Sequence, residues 1–203
     1  MAVLGAKMNP RSIELGAVYD MPVYVASSFS SEPGTLIHGG EQTMEVRKAV
    51  TGIAVDSNVA KITVRGVVDR PGVAAGLLKP LADEGVSVDV IVQNTSSDGT
   101  TDFTFTVGQA SVVKAAQLIE DQSVIEYAEV ITGSNLAKVS IVGTGMENAP
   151  GYAARMFSTL SEAKVNIDMI TTSEIRITTI IDREQVQKAV QSLHDAFELE
   201  KSQ

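Results

Sequence analysis

Apolar and polar residues follow one succession of periods twice along this chain. In the first pass, Ile62, Val64 and Val67 make a short apolar strand. Ala74, Leu77, Leu78, Leu81 and Ala82 then recur at helical spacing. A strict alternation follows, with Val86, Val88, Val90 and Val92 on one face and Ser87, Asp89, Ile91 and Gln93 on the other. Asn94 to Gly99 is rich in turn formers, and Phe103, Phe105 and Val107 alternate with Thr104 and Thr106 in a returning strand. Val112, Val113, Ala116 and Ile119 predict a helix over about 110–121, and a strand follows at about 124–131. The order β–α–β–β–α–β is that of a ferredoxin-like α+β sandwich.

The second pass covers residues 137–170, which align with 60–91. Lys61 matches Lys138 at an offset of 77, and Pro71 and Asp89 match Pro150 and Asp168 at 79, so two residues are inserted before the Pro-Gly. A duplicated unit is the reading this imposes. In the second copy Ala153, Phe157, Leu160 and Lys164 form the helical stripe, with Met156 beside it. Strands are expected near 138–142, 165–172 and 174–181, and helices near 150–163 and 183–197. Pro71 suits a first helical turn, where its missing N–H costs nothing. Pro80 is expected to kink or end its helix early.

The second copy stops without a last strand, whereas Val50–Val55 is a strand with no place in the first. Nesting resolves both: residues 44–55 with 133–203 form one unit, and 56–132 form the other, inserted into it. Residues 1–43 belong to neither. Asn9-Pro10 begins a helix to about Tyr19, Pro22–Val25 is a strand, and SSFSSEPGT is a loop. Those few elements are too small for a core of their own and predict the tail of something larger.

Composition narrows the chemistry. The 203 residues are 44% hydrophobic with a net charge of −9, and contain no cysteine, no tryptophan and two histidines, His38 and His194. No basic surface exists to neutralise phosphates, so nucleic acid is not expected as a partner. Thiol catalysis, Cys-ligated metals and disulfides are excluded. No metal site is expected, and both histidines are expected at the surface. The opening MAVLGAK is short for a secretory leader, and no 18-residue apolar stretch occurs; the expectation is a soluble, cytoplasmic protein away from membranes. Gly143-x-Gly145 lacks the third glycine of a dinucleotide loop, and Asn94-Thr95-Ser96 is a sequon without meaning in that compartment.

The stretch GAKMNPRSIELGAVYDMPVYVASSFSSEPGT resembles the end of the catalytic domain of aspartokinases. VDRPGVAAGLLKPLADEGVSVDVIVQNTSSDGTTDFTF and NAPGYAARMFSTLSEAKVNIDMITTSEIRI resemble that family's tandem regulatory ACT domains. The resemblance implies two ferredoxin-like ACT domains behind a helix–strand remnant of an amino-acid kinase domain. Some bacterial members have an internal start that yields a separate regulatory subunit, and Met44-Glu45-Val46 stands where it would begin. The glycine-rich phosphate site of the kinase has no counterpart here. Lys7 matches a nucleotide-contacting position and would be orphaned. The resemblance therefore implies no catalytic residues and no cofactor in this chain, ATP belonging to the full enzyme.

ACT domains bind an amino acid where two of them meet. Behind Pro71-Gly72, a helix start offers unpaired backbone N–H groups to a carboxylate. Gly72, Val73, Ala74 and Ala75 would let a ligand approach the main chain, with Asp69, Asp89 and Gln93 facing its ammonium group. Asp69 serves equally as a helix N-cap. The second copy places Glu147 or Asn148 where Asp69 stands, and Thr172 at Gln93, which predicts the principal pocket in the first unit. By resemblance, Asn166, Ile167 and Asp168 of a partner's second unit close the pocket in a homodimer, and Ser173 and Glu174 match a region linked to lysine-class effectors. The expected effector is threonine, lysine or both, and the expected protein partner an aspartokinase catalytic subunit. A ligand-independent dimerisation module is the alternative.

Overall fold

In the computed structural model, the described residues are 12, 13, 15, 16, 19, 21–26, 34–37, 50–95, 99–122, 125–146 and 150–201. Within the N-terminal stretch, 12, 13, 15 and 16 are helical. Strand β1 (Val23–Val25) pairs antiparallel with β2 (Thr35–Ile37), a strand that the sequence pattern does not predict. Tyr24 Oη accepts a hydrogen bond from the Gly34 N–H at 2.8 Å and closes this small ribbon.

The repeats build one six-stranded sheet from β3 (Gly52–Val68), β4 (Val88–Thr95), β5 (Thr100–Val107), β6 (Glu129–Val142), β7 (Met169–Ser173) and β8 (Arg176–Asp182). Its order is β4-β5-β3-β6-β8-β7. Helices α1 (Val73–Asp83), α2 (Val112–Glu120), α3 (Tyr152–Glu162) and α4 (Val186–Ala196) cover it. Two separate cores result. Ile62, Val64, Leu77, Leu81, Phe103, Phe105 and Ile119 fill the first, and Val139, Ile141, Met156, Leu160, Ile181 and Leu193 the second. Each is built from period-two strand positions and helix positions three or four apart, the arithmetic that made the repeat visible.

The two central strands are longer than expected. The predicted strands at 50–55 and 62–67 are parts of one 17-residue strand, β3. The expected strands at 124–131 and 138–142 likewise merge into the 14-residue β6. Residues 52–56 of β3 pair with 138–142 in the second repeat, while 61–65 pair with 129–133. Both units thus draw on both strands. Val59 lies opposite Leu136, the residue 77 positions later, the offset that separates the matching lysines. A pseudo-twofold axis passes through that pair. The repeat also extends upstream of Ala60, since Ser57-Asn58-Val59-Ala60-Lys61 matches Ser134-Asn135-Leu136-Ala137-Lys138.

Four further expectations are corrected. Helix α1 does not end at Pro80 but runs on to Asp83, with Leu81 fully buried in the core beyond the proline. Strand β6 begins at Glu129 and not near 124, because Gly66, at φ 62°, bulges β3 where Ala128 approaches. Strand β7 begins at Met169 and not near 165, because the chain leaves α3 through Lys164 at φ 54°. The Val165 N–H returns to the Leu160 carbonyl at 2.9 Å, a Schellman-type stop. Of the stripe expected on α3, Leu160 is fully buried but Lys164 is exposed, while Met156, expected beside the stripe, is fully buried. No described helix is long and apolar enough to cross a membrane.

Candidate functional site

Strand β3 delivers the chain to the start of α1 through Asp69, Arg70, Pro71 and Gly72, all exposed. The Asp69 N–H donates to the Gly99 carbonyl at 3.0 Å and anchors the turn. Gly72 caps the helix in the left-handed region at φ 95°, so Pro71 lies outside the first turn, not within it. A Cβ built on Gly72 would meet nothing within 4 Å. Glycine is needed there for its backbone angle rather than for space. The Val73 N–H folds back to the Arg70 carbonyl at 3.3 Å, leaving the amides of Ala74 and Ala75 as the outward donors of the first turn. Val73 is buried, Ala74 half-buried and Ala75 exposed. The N-cap role once open to Asp69 falls to Gly72, and no described residue donates to the Asp69 carboxylate.

The second unit repeats this backbone. Gly151, at φ 106°, caps α3, and the Arg155 N–H donates to its carbonyl at 2.8 Å. Glu147 and Asn148 lie outside the described residues, as does Lys7.

The structure does not gather all the expected ligands around one mouth. Val68 pairs with Thr100, beside Asp69, whereas Val88, next to Asp89, pairs with Val107. Seven steps along β5 separate the two levels, about 23 Å at ~3.3 Å per residue. The reason is topological. In a β–α–β unit the helix starts where the first strand ends, and the next strand starts at the helix's far end. Gln93, opposite Phe103, is nearer the mouth and exposed. Its spacing of four from Asp89 places both on one face, but a shared face is not a shared site.

Asp89 is instead engaged across the molecule. Lys138 Nζ donates to Asp89 Oδ2 and lies 3.2 Å from Asp56 Oδ2. In mirrored fashion, Lys61 Nζ donates to Asp168 Oδ2 at 2.6 Å. Each unit's lysine therefore grips the aspartate of the other. These partners stand three strands apart, about 14 Å in a flat sheet at ~4.8 Å per strand, beyond a lysine's reach. The sheet must curl about its centre, and the register shifts of β3 between Asp56 and Val59 and between Val59 and Lys61 provide the bend. The lysine side chains are 22% and 18% exposed, so both pairs are partly shielded from solvent.

Asn166 is exposed and Ile167 packs against the second core; with Phe157, Ser161 and Lys164 they border an open hollow of about 480 Å³. Ser173 pairs with Arg176 at the exposed β7–β8 turn, beside Glu174 and at the far end of β7 from Asp168. A second hollow, about 430 Å³, lies against the centre of the sheet and is lined by Asp56, Asn58, Lys138, Ser140 and Arg176. Sequence reasoning missed this central cluster, although the duplicated Ser-Asn-x-Ala-Lys was the signal that could have found it. Its asparagines do structural work. Asn58 Oδ1 accepts from the Gln109 N–H at 3.0 Å, and Asn135 Nδ2 donates to Asp182 Oδ1 at 3.2 Å, so each fixes the turn before a helix. Among the described residues no cluster of His, Asp or Glu is arranged to hold a metal ion.

Residues 62–123 and 139–197 each match an ACT domain family. The chain is 44% identical over 204 aligned positions to an aspartokinase of Pseudomonas aeruginosa, an alignment that takes in 98% of this chain and 49% of that protein. A crystal structure of aspartokinase alpha and beta subunits contains a chain 45% identical, matched over its whole length and 74% of this one with a TM-score of 0.70. This chain belongs to the aspartokinase family. The regulatory subunit of aspartate kinase from Thermus thermophilus, in its ligand-free form, is 38% identical over 99% of its length and 74% of this chain, with a TM-score of 0.69. The chain spans about half the length of the curated aspartokinases it matches.

Proposed function

We propose that this chain is the amino-acid-sensing, regulatory part of an aspartokinase. The effector is threonine, alone or together with lysine. Its carboxylate docks on the outward amides of Ala74 and Ala75 at the positive end of α1. Its ammonium group faces Asp69, with Gln93 bordering the site. Asn166, Ile167 and Asp168 from the second unit of another copy close the pocket, and Ser173 and Glu174 serve a lysine-class effector. Binding shifts an attached or associated catalytic part toward a less active arrangement by contacting its two states unequally. The chain does not phosphorylate aspartate by itself, and ATP belongs to the catalytic part.

The observation that carries this reading is the open mouth of α1: a left-handed glycine cap, outward amides and an exposed carboxylate without a partner among the described residues. Calorimetry of the purified chain with threonine, lysine and methionine at millimolar concentrations tests it. Heat with threonine or lysine that Asp69→Asn weakens about tenfold, the scale of one charged hydrogen bond, is the expected result. No heat with any of the three removes the reading. The alternative, a ligand-independent assembly module, draws on the outer strands β4 and β7, each paired on one side only among the described residues. A dimer whose size and melting temperature ignore every amino acid would favour it.

A further inference from the structure

We infer that Lys61 is a positioning residue for the second unit's effector-closing segment, holding Asn166–Asp168 in place from the first unit. The inference rests on the effector reading above and deepens it. The segment has no ladder of its own, since α3 stops at Glu162 and β7 starts only at Met169. Two contacts fix its end: the Asp168 N–H to the Ile180 carbonyl at 2.8 Å, and the Asp168 carboxylate to Lys61 Nζ at 2.6 Å. The second contact crosses the pseudo-twofold axis. A ligand sensed at one unit therefore meets a segment whose placement depends on the other, which ties the two units without any direct contact between their helix mouths.

The mirrored contact differs in one respect. Lys138 is shared between Asp89 and Asp56, whereas the position matching Asp56 in the other copy is Gly133. Lys61 thus holds a single carboxylate undivided, whereas Lys138 is split between two.

The test uses the full chain and four variants: Lys61→Met, Lys61→Arg, Asp168→Asn and the exchanged pair Lys61→Asp with Asp168→Lys. The expected result is about tenfold weaker threonine or lysine binding for Lys61→Met and Asp168→Asn, within the usual range of coupling between sites. Lys61→Arg should stay near the parent; the exchanged pair, which alters a pocket-closing residue, is read by amide exchange and not by binding. Amide exchange gives a readout without ligand: the Asp168 and Met169 amides should exchange faster in Lys61→Met and return toward the parent rate in the exchanged pair. Equal exchange in Lys61→Met and the parent, or an exchanged pair whose Asp168 and Met169 amides exchange as fast as in Lys61→Met, overturns the inference. If the parent binds no amino acid, the effector reading fails, and the exchange rates alone decide the role of Lys61.

Discussion

The two repeats share a backbone and differ in what they expose. Both start their first helix from a left-handed glycine, Gly72 or Gly151, and both bury a leucine at the matching place near the helix end, Leu81 or Leu160. They part at the termini. After α1 the chain turns through Gly85 at φ 71°, whereas after α3 it turns through Lys164 at φ 54°. Ahead of α1 stands an exposed aspartate, while the second copy has Glu147 or Asn148 in that region. Duplication preserved what the core requires, namely side chains of fixed period and size. It released the surface positions, where one copy could specialise. Conformational strain survived in the second copy because a lysine at a left-handed position costs only about 1–2 kcal/mol, less than one core leucine contributes.

The largest effect should come from the matched core positions. Leu81→Ala and Leu160→Ala each remove a fully buried side chain, and each should destabilise by about 2–5 kcal/mol. Because β3 and β6 serve both units, either change should move one common denaturant transition. Two separate transitions, one moved by each variant, would show that the repeats unfold independently. Next come the glycine caps. Gly72→Ala and Gly151→Ala should each cost about 1–2 kcal/mol through the positive φ alone, read as a lower melting temperature. Only the Gly72 variant should also weaken threonine or lysine in calorimetry; equal loss from both would place the sensing mouth in both copies. The smallest effect is a gain. Lys164→Gly should relieve its left-handed strain and raise stability by up to about 1 kcal/mol, bringing the second copy's turn into line with Gly85.

Much of the fold was legible because burial writes a period. The alternation Val86 to Gln93 appears in the structure as alternating cover and exposure, and Leu77, Leu81 and Leu160 of the expected helix stripes are core. The unbroken course of β3 was hidden by its own middle. Asp56, Ser57, Asn58 and Lys61 interrupt the apolar pattern where the strand passes from one core to the other, so one strand looked like two. Pro80 misled for a different reason: local cost predicted a break, but burial of Leu81 one residue on carries the helix through. At the site, Pro-Gly before a helix announced the mouth of α1, since a cap is local chemistry. The grouping of Asp89 with Asp69 failed because face parity says nothing of distance along a strand. The lysine–aspartate exchange needs two segments about 107 and 49 residues apart, and no local pattern records a partner that remote.

The sharing of β3 between both units also governs the order in which the molecule can be made. Gly52 finds its partner in Val142, about 90 residues later, so the first part of β3 leaves the ribosome long before its neighbour exists. The later part of the same strand meets β5 and the start of β6 sooner, and contacts between nearer segments close faster. Assembly should therefore run from the interior of the sequence outward, the early segment waiting as an unpaired ribbon until the final third of the chain arrives to clasp it.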